Sequence, residues 1–145
     1  MQTESMKIAI INGPNLNLLG TREPEVYGST TFEQYFQQLQ QQFPQVTFSY
    51  FQSNIEGELV NYLQQNGFNA DGIVLNPAAY THTSVAIGDA IAAIKTPVVE
   101  VHISNVHARE AFRQVNYVSA KAVGTITGLG LKGYQLAVEF LLSNK

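Results

Sequence analysis

Three observations predict an α/β fold in which a doubly wound, five-stranded parallel sheet carries helices on both faces. Short apolar runs alternate with amphipathic stretches along the whole chain. The runs are continuously apolar, as strands buried on both faces require. Five such runs point to a flavodoxin-like sheet, and with no repeat or linker to divide them, residues 1–145 are expected to form one domain.

The first strand is Ile8-Ala9-Ile10-Ile11, followed by a polar loop from Asn12 to Gly28 punctuated by Gly, Pro and Asn. Loops of that length in a compact domain are usually functional. Thr30-x-x-Glu33 has the form of a capping box and opens a helix with Phe32, Tyr35, Phe36, Leu39 and Phe43 on one face, stopped by Pro44. The glutamines from Gln34 to Gln42 then form its solvated side. Val46 to Gln52 is the second strand. Ser53-x-x-Glu56 is a second capping box, and the helix it opens turns Ile55, Leu59 and Leu63 inward and ends at Asn66-Gly67. Ile73-Val74-Leu75 is a short buried strand. A helix from Val85 to Ile94 follows, with Ile87, Ile91 and Ile94 at core spacing, and then the strand Val98 to Val101. A less regular segment from Ser104 to Ala120 leads to a last strand near Val123 to Thr127. The terminal helix uses Leu131, Tyr134, Val138 and Leu142.

Composition narrows the function. Apolar residues make up 45% and charged residues 13%, a sparsely charged surface that other subunits are expected to cover. The net charge of −3 and the lack of a dense Lys/Arg cluster argue against nucleic acid or an anionic membrane as the main partner. A small anionic substrate met by local arginines fits. Without cysteine there is no disulfide, thiolate nucleophile or thiolate metal site. No signal peptide or apolar run of membrane-spanning length occurs, so a cytoplasmic protein is expected.

In open α/β sheets ligands bind outside the carboxyl ends of the strands, near the reversal in strand order. Three runs end in polar side chains there: Asn12, Asn76 and His102. If those strands are neighbours, two carboxamides and an imidazole converge on one crevice. Asn76-Pro-Ala-Ala-Tyr-Thr-His-Thr-Ser84 joins the third strand to its helix, with His82 aimed at the crevice and Thr81, Thr83 and Ser84 read as capping residues. Ile103 and Ser104 offer backbone N–H groups and a hydroxyl to an anion, and Arg113 a charge. His107 has no strand end beneath it and is read as a loop or intersubunit residue. Arg22 and Tyr27 lie close enough for the guanidinium to favour ionisation of the phenol if their loop folds over a site; otherwise both face solvent.

Gly128-Leu-Gly-Leu-Lys-Gly133 has the spacing of a dinucleotide fingerprint, but that motif needs a further strand and an acidic residue about twenty positions on. The glycines are read instead as a tight turn and close helix packing. No Glu/Asp/His arrangement has metal spacing, no serine sits in a nucleophile elbow, and no lysine lies at an apolar strand end facing the crevice. What remains is proton chemistry, suited to removing a proton next to a carbonyl while hydrogen bonds hold the enolate.

Asn12-Gly-Pro-Asn-Leu-Asn-Leu-Leu-Gly-x-Arg-Glu-Pro-x-x-Tyr-Gly28, Gln52-Ser-Asn-x-Glu-Gly57, Asn76-Pro-Ala-Ala-Tyr-Thr-His-Thr-Ser84, Glu100-Val-His-Ile-Ser-Asn105 and Gly128-Leu-Gly130 with Gly133-Tyr134 resemble type II 3-dehydroquinate dehydratase. The resemblance covers nearly the whole chain. It implies anti elimination of water from 3-dehydroquinate to 3-dehydroshikimate through an enolate, with no metal, imine or other cofactor. By position it implies Tyr27 as the phenolate base, Arg22 as its activator on a mobile lid, His102 as the acid and Glu100 as the group orienting its ring. It implies that Asn12 holds a water against the enolate oxygen, and that Asn76, His82, Ile103, Ser104 and Arg113 bind substrate. Asp89 is implied to reach a neighbouring subunit's site in a homododecamer, a tetramer of trimers. The reaction serves both aromatic biosynthesis and quinate breakdown. One departure is Asn116, where the family often has serine, which leaves that local contact open. The rival from another class is a flavodoxin-like nucleotide or flavin module without catalysis, and a third reading is a non-catalytic oligomeric scaffold.

Overall fold

The computed structural model describes residues 5–21, 25 and 29–144. Arg22, Tyr27 and Gly28 lie outside the described residues. Five parallel strands, β1 (Met6–Asn12), β2 (Val46–Gln52), β3 (Gly72–Asn76), β4 (Val98–His102) and β5 (Gly124–Thr127), form one sheet in the order β2-β1-β3-β4-β5. The α/β, flavodoxin-like expectation is met, with the strand order reversing between β1 and β3.

Four α-helices among the described residues cover the sheet: α1 (Phe32–Gln42), α2 (Glu56–Asn66), α3 (Val85–Ala93) and α4 (Lys132–Ser143). Strand side chains alternate between faces, so Ile8, Ile10, Val74, Val99 and Val101 pack toward α1 and α4. Ala9, Ile11, Ile73, Leu75 and Val98 pack on the opposite face, under Leu59 and Leu63 of α2 and Ile87 and Ile91 of α3. β3, β4 and nearly all of β1 are buried on both faces, as unbroken apolar runs require, whereas the edge strands β2 and β5 are half-exposed and carry polar residues such as Thr47, Ser49 and Thr125.

Local detail departs from expectation in four places. The capping box of α1 is Thr31 with Gln34: the Thr31 hydroxyl accepts from Gln34 N at 3.2 Å and the Gln34 carboxamide accepts from Thr31 N at 3.0 Å. The Thr30/Glu33 pair therefore sits one residue too early. Ser53 does not box α2, whose N-cap is Ile55; its hydroxyl accepts from Ile55 N and donates to Glu58. Ile55 is exposed rather than inward. On α4 the buried face is Tyr134, Ala137, Val138 and Leu141, at helical spacing from Tyr134, and Leu142 is only partly buried.

The glycines at 128 and 130 hold φ of +86° and +64°, which a side chain would strain. In that conformation Gly128 N–H donates to His102 O at 3.1 Å and Gly130 N–H to Ile103 O at 3.0 Å. The motif thus ties the turn before α4 to the end of β4, in keeping with a tight turn rather than a nucleotide cradle.

Thr31→Ala is expected to cost about 1 kcal/mol of unfolding free energy, while Thr30→Ala is nearly neutral. Urea denaturation of the two variants checks this; equal effects would move the cap back to Thr30.

Candidate active site

β1, β3 and β4 are neighbours, so Asn12, Asn76 and His102 do gather at one end of the sheet, with Asn12 directly opposite Asn76 in the register. The pleat divides them. Asn12 and Asn76 point toward α4, while Glu100 and His102, alternating with Val99 and Val101, point to the other face. A cleft opens across this end, and Asn76, His82, His102, Ile103, Ser104 and Arg113 all line it. Asn12 does not: fully buried behind Asn76, it is held between Tyr134 and Tyr50. Asp89 is exposed on α3 and is not part of this cleft's lining.

The first loop reaches the cleft because Gly13 lets it cross close over β3. Its N–H donates to Asn76 O at 2.7 Å, and a Cβ there would lie 2.6 Å from Pro77 O. Beyond the crossing, Gln52 and Asn54 brace the loop: Gln52 Nε2 donates to Gly13 O at 3.1 Å and Asn54 Oδ1 accepts from Asn15 N at 2.9 Å. Tyr80 Oη in turn donates to Asn54 O at 2.7 Å.

Across the sheet, Glu100 is a wholly buried carboxylate. Its Oε2 lies 2.5 Å from His102 Nε2 and accepts from Thr81 Oγ1 at 2.7 Å and Asn116 Nδ2 at 3.4 Å. Its Oε1 accepts from the Ser119 hydroxyl and, at 3.3 Å, from Thr125 Oγ1. Burial alone pushes its pKa up, but the hydrogen bond and charge of His102 and the Ser119 and Thr81 hydroxyls outweigh it, taking the group from 4.5 down to about 2. Glu100 is therefore ionised, and the imidazole Nε2–H donates to it, leaving Nδ1 for other partners. His82 is fixed in a similar way by Val115 O, 2.7 Å from its Nδ1, which leaves Nε2.

Two arginines line the cleft beside Ser104. Arg113 stands 2.5 Å from Glu110 Oε2 and packs over the Phe112 ring, while Arg109 Nη1 donates to Ser104 Oγ at 3.4 Å. The site thus combines an imidazole on a carboxylate, amide and hydroxyl donors, and cationic charge for an anionic ligand.

The arrangement matches a known family. The model for Dehydroquinase class II matches residues 6–142. The chain belongs to the class II dehydroquinase family. It is 50% identical over 142 residues to a 3-dehydroquinate dehydratase of Roseiflexus castenholzii, covering 97% of this chain and 90% of that one. A catabolic 3-dehydroquinase of Phaeosphaeria nodorum is 53% identical over 135 residues, 92% of this chain and 89% of that protein. The crystal structure of type II dehydroquinase from Butyrivibrio crossotus superimposes with a TM-score of 0.92 at 43% identity, covering 97% of this chain and 99% of the other. With the family comes the enzyme class, a hydro-lyase. No helix among the described residues is long and apolar enough to cross a membrane.

Sequence reasoning missed several participants. Arg109 carried a signal in Arg109-Glu110-x-x-Arg113, two cations around one carboxylate on a short segment. Thr81, read as a capping residue, instead serves Glu100, whereas Ser84 does cap α3 by accepting from Ile87 N at 3.0 Å. Asn116, the departure from the family's serine, bonds both Glu100 and Ser119. His107 is exposed and bonds Gln114 within its own segment.

Because Glu100 titrates lower folded than unfolded, its contribution to stability is complete above about pH 4.5 and is lost as pH falls toward about 2. Glu100→Gln removes that titration and turns an amide toward donors, so the variant melts lower than wild type at pH 7. The gap should narrow as pH falls from 4.5 to 2; thermal unfolding across that range with a constant gap would contradict the assignment.

Proposed function

We propose that this chain is a type II 3-dehydroquinate dehydratase, converting 3-dehydroquinate to 3-dehydroshikimate by anti elimination through an enolate. The observation that carries the reading is the cleft itself, where an imidazole backed by a buried carboxylate stands beside two arginines in a chain of this family.

The first step removes the proton alpha to the ketone. Tyr27, as phenolate, is the base: an oxygen lone pair takes the proton, the C–H pair becomes the C=C bond of the enolate, and the carbonyl π pair moves onto the ketone oxygen. An unperturbed phenol titrates near ~10, so ionisation at neutral pH requires roughly 4 kcal/mol of help. Arg22 is the neighbour assigned to supply it, through favourable charge interaction in a closed, dry site. Asn12 positions a water against the enolate oxygen.

Collapse of the enolate then expels the hydroxyl, which leaves as water with a proton from His102. Since Nε2 is committed to Glu100, that proton sits on Nδ1. Glu100 holds the ring's orientation and balances the charge that appears when both nitrogens carry protons. Arg113 meets the substrate carboxylate, already oriented by Glu110 and Phe112, while Asn76, His82, Ile103 and Ser104 bind its oxygens.

The working form in this reading is a cytoplasmic homododecamer, a tetramer of trimers, in which Asp89 completes a neighbour's site. Exposed Val85, Val115, Tyr117 and Val123 support burial of this surface between subunits. A nucleotide or flavin module without catalysis is disfavoured, because the N–H groups of Gly128 and Gly130 are taken by the carbonyls of His102 and Ile103.

Added 3-dehydroquinate should generate the absorbance of a conjugated enone. Tyr27→Phe is expected to lower kcat by ~100-fold or more with substrate still bound, and His102→Ala by a similar factor. Near-normal turnover by the Tyr27 variant would remove it as base, and a His102 variant defective only in KM would make that residue a binding group.

A further inference from the structure

We propose that Tyr134 is a positioning residue whose hydroxyl fixes the direction of a buried hydrogen-bond relay through Asn76 and Asn12, so that Asn76 meets the cleft as a donor, backed by Asn12 behind it. The proposal rests on the reaction above and adds a residue that touches no substrate.

The relay begins on the backbone. Ala78 holds a left-handed φ of 53°, and its N–H donates to Asn76 Oδ1 at 3.0 Å. An amide N–H cannot accept, so this end has one polarity. With its oxygen engaged, Asn76 turns Nδ2 toward Tyr134 Oη and donates at 2.9 Å. The phenol must then use its own proton elsewhere, and Asn12 Oδ1 lies 2.8 Å away to accept it. Asn12 in turn directs Nδ2 to Tyr50 Oη at 3.5 Å. Each bond dictates the sense of the next.

Tyr134 suits this task. It is wholly buried, its ring centroid stands 5.0 Å from that of Phe32 at 64°, and Tyr35 closes in from the same helix α1. Burial pushes its pKa far up, so the hydroxyl keeps its proton throughout the working range. Gly133, just before it, brings α4 close to the sheet, where a Cβ would lie 3.1 Å from Val101 Cγ1.

The chemical consequence follows from counting hydrogens. Each carboxamide has two N–H groups and one oxygen. Asn76 spends its oxygen on Ala78 and one N–H on Tyr134; Asn12 spends its oxygen on Tyr134 and one N–H on Tyr50. Each retains one N–H and no readily available carbonyl. Asn76, which lines the cleft, therefore offers it a donor and not an acceptor, the sign needed near an enolate or the water bound to it. A relay running the other way would set the Asn76 N–H against the Ala78 N–H and turn its oxygen away from that donor.

The test uses full-length Tyr134→Phe, which preserves the ring. Its kcat for 3-dehydroquinate should fall about tenfold or more with KM within about threefold, because the interaction strengthens on the way to the enolate. Tyr50→Phe, which removes only the long terminal bond, should change kcat less than about threefold. A folded Tyr134→Phe enzyme with unchanged kcat, or one altered in KM alone, overturns the proposal. Independently of activity, the side-chain amide protons of Asn12 and Asn76 in the wild type should exchange with solvent far more slowly than those of exposed Asn69. Equal exchange overturns the relay even if Tyr134→Phe fails to fold. Absence of turnover by the wild type would sink the reaction instead, and the amide protection would then judge the relay alone.

Discussion

A carboxylate buried at the middle of a sheet costs several kcal/mol unless its oxygens are fully engaged. Glu100 meets that requirement with partners from separate parts of the chain: His102 on its own strand, Thr81 from the β3–α3 connection, Asn116 and Ser119 from the irregular segment, and Thr125 on β5. Much of the region's geometry follows from this one charge. The stretch from Ser104 to Ala120 has only short 3-10 turns of its own, yet it is anchored where Asn116 accepts from the backbone N–H groups of Val118 and Ser119 and bonds the carboxylate. Arg109 and Arg113 stand on that same anchored stretch.

The two faces of the sheet supply different chemistry to one cleft. On the α4 side lies a neutral chain of amides and phenols, with a fixed donor sense and no net charge. On the α3 side lies an ion pair whose charge depends on the imidazole's protonation. A ligand resting in the cleft would meet the first through Asn76 and the second through His102.

The fold was legible because its determinants are periodic. Unbroken apolar strands such as Ile73-Val74-Leu75 can only be buried on both sides, and the Phe32, Tyr35, Leu39 spacing declares a helical face. Cap positions were less so: adjacent Thr30 and Thr31 each offer a hydroxyl three residues before a residue able to close the box, and backbone geometry chooses between them. The site was legible at its strand ends, since Asn76 and His102 announce themselves by following apolar runs. The polarity of the pleat was harder to see. His102 and Asn76 occupy matching strand ends, yet only the pairing register shows that they face opposite sides. Thr81, Asn116 and Tyr134 were obscured for another reason: their partners are distant in sequence, and nothing local distinguishes a threonine on a carboxylate from one that caps a helix.

The bond between Tyr134 and Asn12 joins residues 122 positions apart. Bringing such distant segments together pays its loop-closure entropy before any contact rewards it, and contacts of this range slow folding. The amide side of the site is therefore closed by the last helix meeting the first strand. During synthesis from the amino end, α1 can cover its share of this face early, but the Asn12 oxygen waits for Tyr134 until nearly the whole chain has emerged. Completion of the hydrogen bonding at these strand ends arrives with the final helix.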